Sequence, residues 1–499
     1  MNIVIINADS WRADHAGCYG HPVVRTPHLD RLAAAGTRFE QCHVQHTVCS
    51  PSRCSFMTGW YPHVRGHRNL DHLLQPEEPH LLRSLHEAGW QTAWFGKNDC
   101  LAAACFDRDI DYHDDNPGFL PTVIRNAFAD PQEPGFYSFL YEPTPGGIDD
   151  HVDAHKVAAG IDFLRHGRDP DRPFCLYLPL AVPHGPFSAP QPYHDLYDPD
   201  SLPPLRGPGT DRPELYRLVR ELRGLDRCDP AVLRRVDAVY CGLITLVDEL
   251  VGRVLDTLEE LGLAATTTVL VHSDHGEWAG DYGCVEKWSS ALDDCLTRVP
   301  LVVRTPGGAR GHVVREPVEL QDQMATVLEL CGIEAAHTHF ARSLVPQLHG
   351  AAGDPERAVF AEGGRDLHEP QAFEVDFRDA AWRSDPWRGD ERNVYFPKML
   401  QQAEHPLSDA RSVMIRTGTH KLIRRPATGE HELYDLQADP QELHNRHDDP
   451  ALGPVQADLQ QRLCDWLIHT SDVVPIQRDP RGMPERSRYW RRLPLDPPG

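Results

Sequence analysis

Short runs of consecutive apolar residues recur along this chain, and most of them close on a polar or charged residue. Ile3 to Ile6 runs into Ala8-Asp9-Ser10, Thr92 to Phe95 into Gly96-Lys97, Phe174 to Leu180 into Val182-Pro183-His184, and Thr268 to Val271 into Ser273-Asp274-His275-Gly276. Leu301 to Arg304 is a further run of the same kind. Unbroken apolar runs of this length suit strands buried on both faces, as in a parallel sheet. Ligands of open α/β sheets gather at the carboxyl ends of such strands, so the polar residues at those ends are where chemistry is expected.

Helical patterns fill the intervals. Thr26-Pro27, then Leu29, Leu32 and Ala33, then Gly36 give cap, first-turn proline, apolar spacing and terminating glycine in order. Leu81, Leu82 and Leu85 make an apolar face ending at Gly89, and Leu243, Val247, Leu250, Val254 and Leu258 define a long amphipathic helix up to Gly262. Val318 to Leu330, closed by Gly332, reads as another helix. Residues 200–230 are polar and rich in Pro and Arg, which reads as a lid or substrate loop. Beyond Ser343 to Gly350 the pattern relaxes. Val359-Phe360-Ala361, Val413-Met414-Ile415, Lys421-Leu422-Ile423 and Glu432 to Leu436 are short strands that suit a small antiparallel sheet, with a helix near 454–468. The fold expected is α/β, a large mixed and mostly parallel sheet flanked by helices over 1–350, with a smaller α+β region over 351–499. Residues 370–405 read as an insertion that shapes specificity or makes the subunit contact of a homo-oligomer. Arg478 to Gly499 reads as an extended arm.

Composition narrows the class. A chain of 499 residues with 40% hydrophobic and 25% charged content is that of a globular enzyme. The net charge of -24 repels nucleic acid and anionic lipid, so any anion site must be local. Thirteen cysteines without repeated spacing give no disulfide framework, and no signal segment or membrane span is visible. Those features lead to the expectation of a cytoplasmic protein with reduced thiols.

Cys49 opens a short helix, because Pro51 suits a first turn and Gly59 suits the position just past the end. Its neighbourhood then offers unpaired backbone N–H groups and the positive end of a helix dipole, which attract phosphate or sulfate. Arg53, one turn on, is expected to grip a tetrahedral anion with its guanidinium fork.

Cys49, Pro51, Ser52 and Arg53, followed by Met57-Thr58-Gly59, closely resemble the signature of the type I sulfatases. The resemblance extends through Gly96-Lys97, Val182-Pro183-His184-Gly185-Pro186-Phe187, Ser273-Asp274-His275-Gly276 and Leu433-Tyr434-Asp435-Leu436, and so covers nearly the whole chain. It implies an alkaline phosphatase-like sheet and an enzyme that cleaves a small anionic sulfate ester. It also implies that a separate formylglycine-generating enzyme converts Cys49 to formylglycine, the nucleophile in its hydrated form. Asp9, Asp274 and His275, with residue 49, are the implied ligands of a divalent cation, calcium expected and manganese the alternative. Arg53, Lys97 and Lys287 are implied to hold sulfate oxygens. His184 is implied to protonate the leaving group, since imidazole titrates near neutral pH. Asn69 falls near an active-site asparagine of related phosphonate hydrolases and choline sulfatases.

Departures are as informative. Ser10 stands where the family usually has a second aspartate, in a form of the loop that resembles the arylsulfatase and phosphonate monoester hydrolase branch. Asp99 replaces the histidine of Gly-Lys-x-His, and either acts as a base or forms a salt bridge with Lys97. Leu292-Asp293-Asp294 replaces Tyr-Glu-Glu, so contacts on that loop are expected to differ. Trp60, Trp94, Trp278 and Trp288 are candidates for a pocket wall. Two rival readings remain: a phosphonate or phosphate ester hydrolase on the same fold, and a non-enzymatic metal-binding or redox protein using His46, Cys49 and Cys54. The absence of a Cys-x-x-Cys pair there, and Arg53 beside it, weigh against the second.

Overall fold

Nine strands build the large sheet among the described residues: β1 (Asn2–Asp9), β2 (Thr37–His43), β3 (Gln91–Trp94), β4 (Tyr112–His113), β5 (Phe174–Pro183), β6 (Thr267–Ser273), β7 (Arg298–Val299), β8 (Leu301–Arg304) and β9 (His312–Glu319). In this computed structural model, which describes residues 1–114, 124–368 and 381–473, they run in the order β4-β3-β5-β1-β6-β8-β2-β7, with β9 beside β2. β4, β3, β5, β1 and β6 are mutually parallel, whereas β8 and β7 are antiparallel to their neighbours. The expected mixed, mostly parallel sheet is therefore what forms. Every residue of β1 from Ile3 to Asp9 is buried, which is why its run is unbroken rather than alternating.

Alternate residues of β1 feed two cores. Val4 and Ile6 pack with the helices Pro27–Ala35, Val152–Asp162 and Pro230–Glu260; Ile3 and Ile5 pack with Cys49–Thr58, Leu81–Glu87 and Asp322–Cys331. The long helix starts earlier than its apolar stripe, because Asp229 caps it: its carboxylate accepts from the Ala231 N–H at 2.9 Å.

Two expectations are corrected. Val318 lies in β9, paired in parallel with Cys42 of β2, and the helix begins only at Asp322. No apolar run marks β2 or β9, because polar residues such as Glu40, Gln41, Arg315 and Glu316 interrupt them. The 200–230 segment, expected as a lid or substrate loop, contains the helix Glu214–Leu222, which buries Leu215, Tyr216, Leu218 and Val219.

The C-terminal sheet joins β10 (Val359–Gly363), β11 (Ser412–Arg416), β12 (His420–Arg424) and β13 (Glu432–Asp435) in antiparallel order. One face packs on the helix Gly453–His469, with Phe360 and Trp466 stacked at 4.8 Å. Its strands also grip the loop after Lys287. Ser412 donates to the Ser290 carbonyl, and Arg416 and Lys421 bind the Asp294 carboxylate. Residues 370–380 of the expected insertion and the arm from Arg478 lie outside the described residues. No described helix is long and apolar enough to cross a membrane.

Candidate active site

Parallel neighbours end at one edge of the sheet, so β1 delivers Asp9, β3 delivers Gly96-Lys97, β5 leads to His184 and β6 to Asp274-His275. Two of these turns tolerate no side chain. A Cβ on Gly96, whose φ is +142°, would lie 2.1 Å from the Pro179 carbonyl oxygen, and one on Gly276 would lie 1.9 Å from that of Cys295. The helix Cys49–Thr58 is buried along its whole length and is tied to the β6 turn by Ser52, whose hydroxyl donates to the Asp274 carbonyl at 2.5 Å. That bond sets the first residue of the helix, Cys49, over the sheet edge.

One ligand atom from each of Asp9, Cys49, Asp274 and His275 falls within 4.8 Å of the others, and all four residues are buried. His275 donates Nδ1–H to the Gly276 carbonyl at 2.8 Å, which leaves the Nε2 lone pair facing Cys49 Sγ at 3.2 Å. Nε2 also lies 3.6 Å from Asp9 Oδ1 and 3.8 Å from Asp274 Oδ1. Burial pushes the Cys49 thiol up to about 12, with the Asp9 carboxylate adding to the effect. Asp9 is held well below its ordinary value: burial works against this, and Lys97, His184 and Arg53 outweigh it. Ser10, at φ +72°, donates its hydroxyl to Asp9 Oδ1 at 3.1 Å and its N–H to Asp274 Oδ1 at 3.2 Å.

Arg53 corrects the sequence reading. Its fork is fully buried behind the cluster, where Nε donates to Asp274 Oδ2 at 2.8 Å and an Nη to Asp9 Oδ2 at 3.0 Å. It joins two carboxylates and does not present two donors to an anion, because their outer oxygens already occupy them.

Lys97 does face the cavity in front of Cys49, about 310 Å³ in volume, whose lining includes Cys49, Lys97, Asp99, His184 and Lys287. Lys97 Nζ contacts Asp9 Oδ2 at 2.6 Å, Asp99 at 2.8 Å and Cys49 Sγ at 3.7 Å. The salt-bridge account of Asp99 is thus what the structure contains. His184 differs from expectation in protonation. Its Nδ1 donates to the Gly185 carbonyl at 2.5 Å, and its Nε2 accepts from Lys287 Nζ at 2.6 Å. Burial, then Lys287, pushes it down to about 3, so the proton at this station sits on the lysine.

Asn69 is not brought in. Its carboxamide oxygen accepts the N–H groups of Asp71 and His72 at 3.0 and 2.9 Å, so its own turn consumes it. Asp293 and Asp294 are buried and structural: Asp293 holds Arg212, Tyr216 and Trp278, and Asp294 holds Arg416 and Lys421. Trp60, Trp94, Trp278 and Trp288 are core residues and wall no cavity in front of Cys49. His46 and Cys54 stand apart from the ligand cluster, with His46 Nδ1 accepting from the Val48 N–H.

Residues that sequence reasoning missed come from both ends of the cavity. Glu286 lies beside Lys287, and Trp387, Tyr395 and Lys398 arrive from the C-terminal part of the chain. Tyr395 also borders a second cavity of about 380 Å³ beyond His184, shared with Val182, Pro186 and Asp150. Adjacency to Lys287 was a usable signal for Glu286; nothing local marks Lys398.

The protein thus places two lysines and a carboxylate–imidazole cluster at the carboxyl edge of a mostly parallel sheet. In fold it is similar to the phosphonate monoester hydrolase of Agrobacterium radiobacter, with a TM-score of 0.75 at 23% identity over 94% of this chain and 96% of that one. The sulfatase family model matches residues 1–333, and a model described as N-sulphoglucosamine sulphohydrolase, C-terminal, matches residues 383–468. The chain belongs to the sulfatase family and is an enzyme of that family. It is 28% identical to the multifunctional alkaline phosphatase superfamily protein PehA of Trinickia caryophylli, over 97% of this chain and 99% of that protein. It is also 28% identical to an arylsulfatase of Clostridium perfringens, over 89% of each.

Proposed function

We propose that the protein hydrolyses a sulfate monoester to sulfate and an alcohol or phenol, using a formylglycine made from Cys49 and a divalent cation, calcium or alternatively manganese. The observation that carries this reading is the meeting of Asp9, Cys49, Asp274 and His275 within 4.8 Å at the edge of a parallel sheet. Two carboxylate oxygens and an imidazole nitrogen are a donor set that suits such a cation. Asp9 Oδ1, Asp274 Oδ1 and His275 Nε2, together with residue 49, would hold it. When present, the formylglycine supplies an oxygen nucleophile, and the cation lowers its pKa and offsets anionic charge.

The other residues act around that centre. Arg53 fixes the outer oxygens of Asp9 and Asp274, so their inner oxygens keep one orientation. The ammonium groups of Lys97 and Lys287 line the cavity and meet the oxygens of the ester. Lys287 Nζ holds the proton nearest the leaving oxygen, and His184 Nε2 orients it. Asp9 and, after it, Asp99 keep Lys97 charged against the cost of burial.

A phosphonate or phosphate ester hydrolase is the second reading, favoured by Ser10 in place of a second aspartate. The test compares kcat/KM for 4-nitrophenyl sulfate and 4-nitrophenyl phenylphosphonate on formylglycine-bearing, cation-loaded protein. Preference for the sulfate is expected, preference for the phosphonate selects the second reading, and inertness to both overturns each.

A further inference from the structure

Glu286 is buried, has a left-handed backbone at φ +63°, and stands among three cations. Its Oε1 accepts from Lys287 Nζ at 3.0 Å and from Lys398 Nζ at 3.1 Å. Its Oε2 accepts from Lys398 at 3.2 Å and lies 3.5 Å from an Nη of Arg223. These anchors come from separate places: Arg223 ends the helix Glu214–Leu222, and Lys398 sits on the helix Phe396–Glu404. A non-glycine residue held at positive φ is strained and persists only where its surroundings over-determine it. Here the turn lets two consecutive side chains, Glu286 and Lys287, face the same cavity.

An ammonium has three N–H donors. Lys287 gives one to His184 Nε2 and one to Glu286 Oε1, which leaves the third for the cavity. Without Glu286, Lys287 would lose the carboxylate beside it and share a buried site with Lys398 and Arg223, the other two cations that Glu286 contacts. Like charges would then drive it from His184.

We propose that Glu286, clamped by Lys398, is a positioning residue that aims the third N–H of Lys287 at the leaving-group oxygen of the ester. This rests on the hydrolase reading above. The role is distinct from support of the fold, because an aimed proton donor matters most when the departing oxygen is most basic.

The experiment measures kcat/KM along a series of aryl sulfates and aryl phosphonates, from 4-nitrophenyl to unsubstituted phenyl. The proteins are wild type, Glu286→Gln, Lys398→Met and Lys398→Arg, each formylglycine-bearing and cation-loaded. Thermal unfolding is recorded in parallel. Lys398→Met keeps the aliphatic stem and carries the test if Glu286→Gln does not fold. Expected is a fall of about 10–100-fold for the phenyl esters, by analogy with the loss of outer-shell partners elsewhere. A much smaller fall is expected for the nitrophenyl esters, with recovery in Lys398→Arg. Rates unchanged in the variants, or lowered by one factor across the series, overturn the proposal while leaving the hydrolase reading intact. Wild-type protein inert to every ester overturns both.

Discussion

The Nζ of Lys287 stands 2.6 Å from the Nε2 of His184, and the opposite nitrogen of that ring is committed to the Gly185 carbonyl. A neutral imidazole therefore faces an ammonium, and the pair shares one mobile proton held by the lysine. Lys287→Met should lower kcat/KM by about 100–1000-fold, the usual loss for one preorganised donor. His184, pushed down to about 3, stays neutral at working pH, so kcat/KM of wild type and His184→Gln should have the same pH shape above about pH 5. A wild-type limb near pH 6.5 that vanishes in the variant would contradict this.

Cys49 should be chemically altered in active protein. A peptide containing it, from cells that express a formylglycine-generating enzyme, should be lighter by one sulfur and two hydrogens and heavier by one oxygen. Cys49→Ser should show no sustained turnover. Continued turnover by that variant, or an unaltered cysteine in fully active protein, would refute the proposed nucleophile.

Arg53 bridges two buried carboxylates, so its removal leaves two negative charges facing each other. Arg53→Met should lose about 3–5 kcal/mol in urea unfolding, the range for breaking a buried pair. In wild type, calcium at 100 times its Kd should add about 2.7 kcal/mol, and EDTA should reverse this. Asp274→Asn should abolish the calcium response. A calcium response of equal size in Asp274→Asn would place the cation elsewhere.

His67 lies 3.2 Å from Glu78. Burial alone would lower its pKa, but the Glu78 hydrogen bond prevails and raises it to about 9. A histidine raised on folding stabilises fully below its unfolded pKa of about 6.5, and the gain is lost as pH rises through the folded value. Wild-type unfolding free energy should therefore decline between about pH 6.5 and 9. Glu78→Gln should flatten that decline; an equal slope in the variant would exclude the pair as its source.

Much of the site was legible because its residues follow apolar runs. Asp9 closes a buried strand, and Lys97, His184 and Asp274 each sit just past one, a position visible in one dimension. Side-chain direction is not visible there. Arg53 points behind the cluster because carboxylates 44 and 221 positions away attract it, and Asn69 turns onto its own backbone. β2 and β9 were illegible since their polar interruptions are resolved only by pairing with each other and with β7 and β8. Lys398 had no signal, as its partner Glu286 is 112 residues earlier.

That separation has a bearing on how the enzyme comes into being. During synthesis the ribosome releases Asp9, Cys49, Lys97, His184, Asp274, His275 and Lys287 while the strand that carries Ser412 and the helix that carries Lys398 are still unmade. The cleft is consequently completed by its C-terminal parts, and Glu286 is made 112 residues before the lysine that holds it.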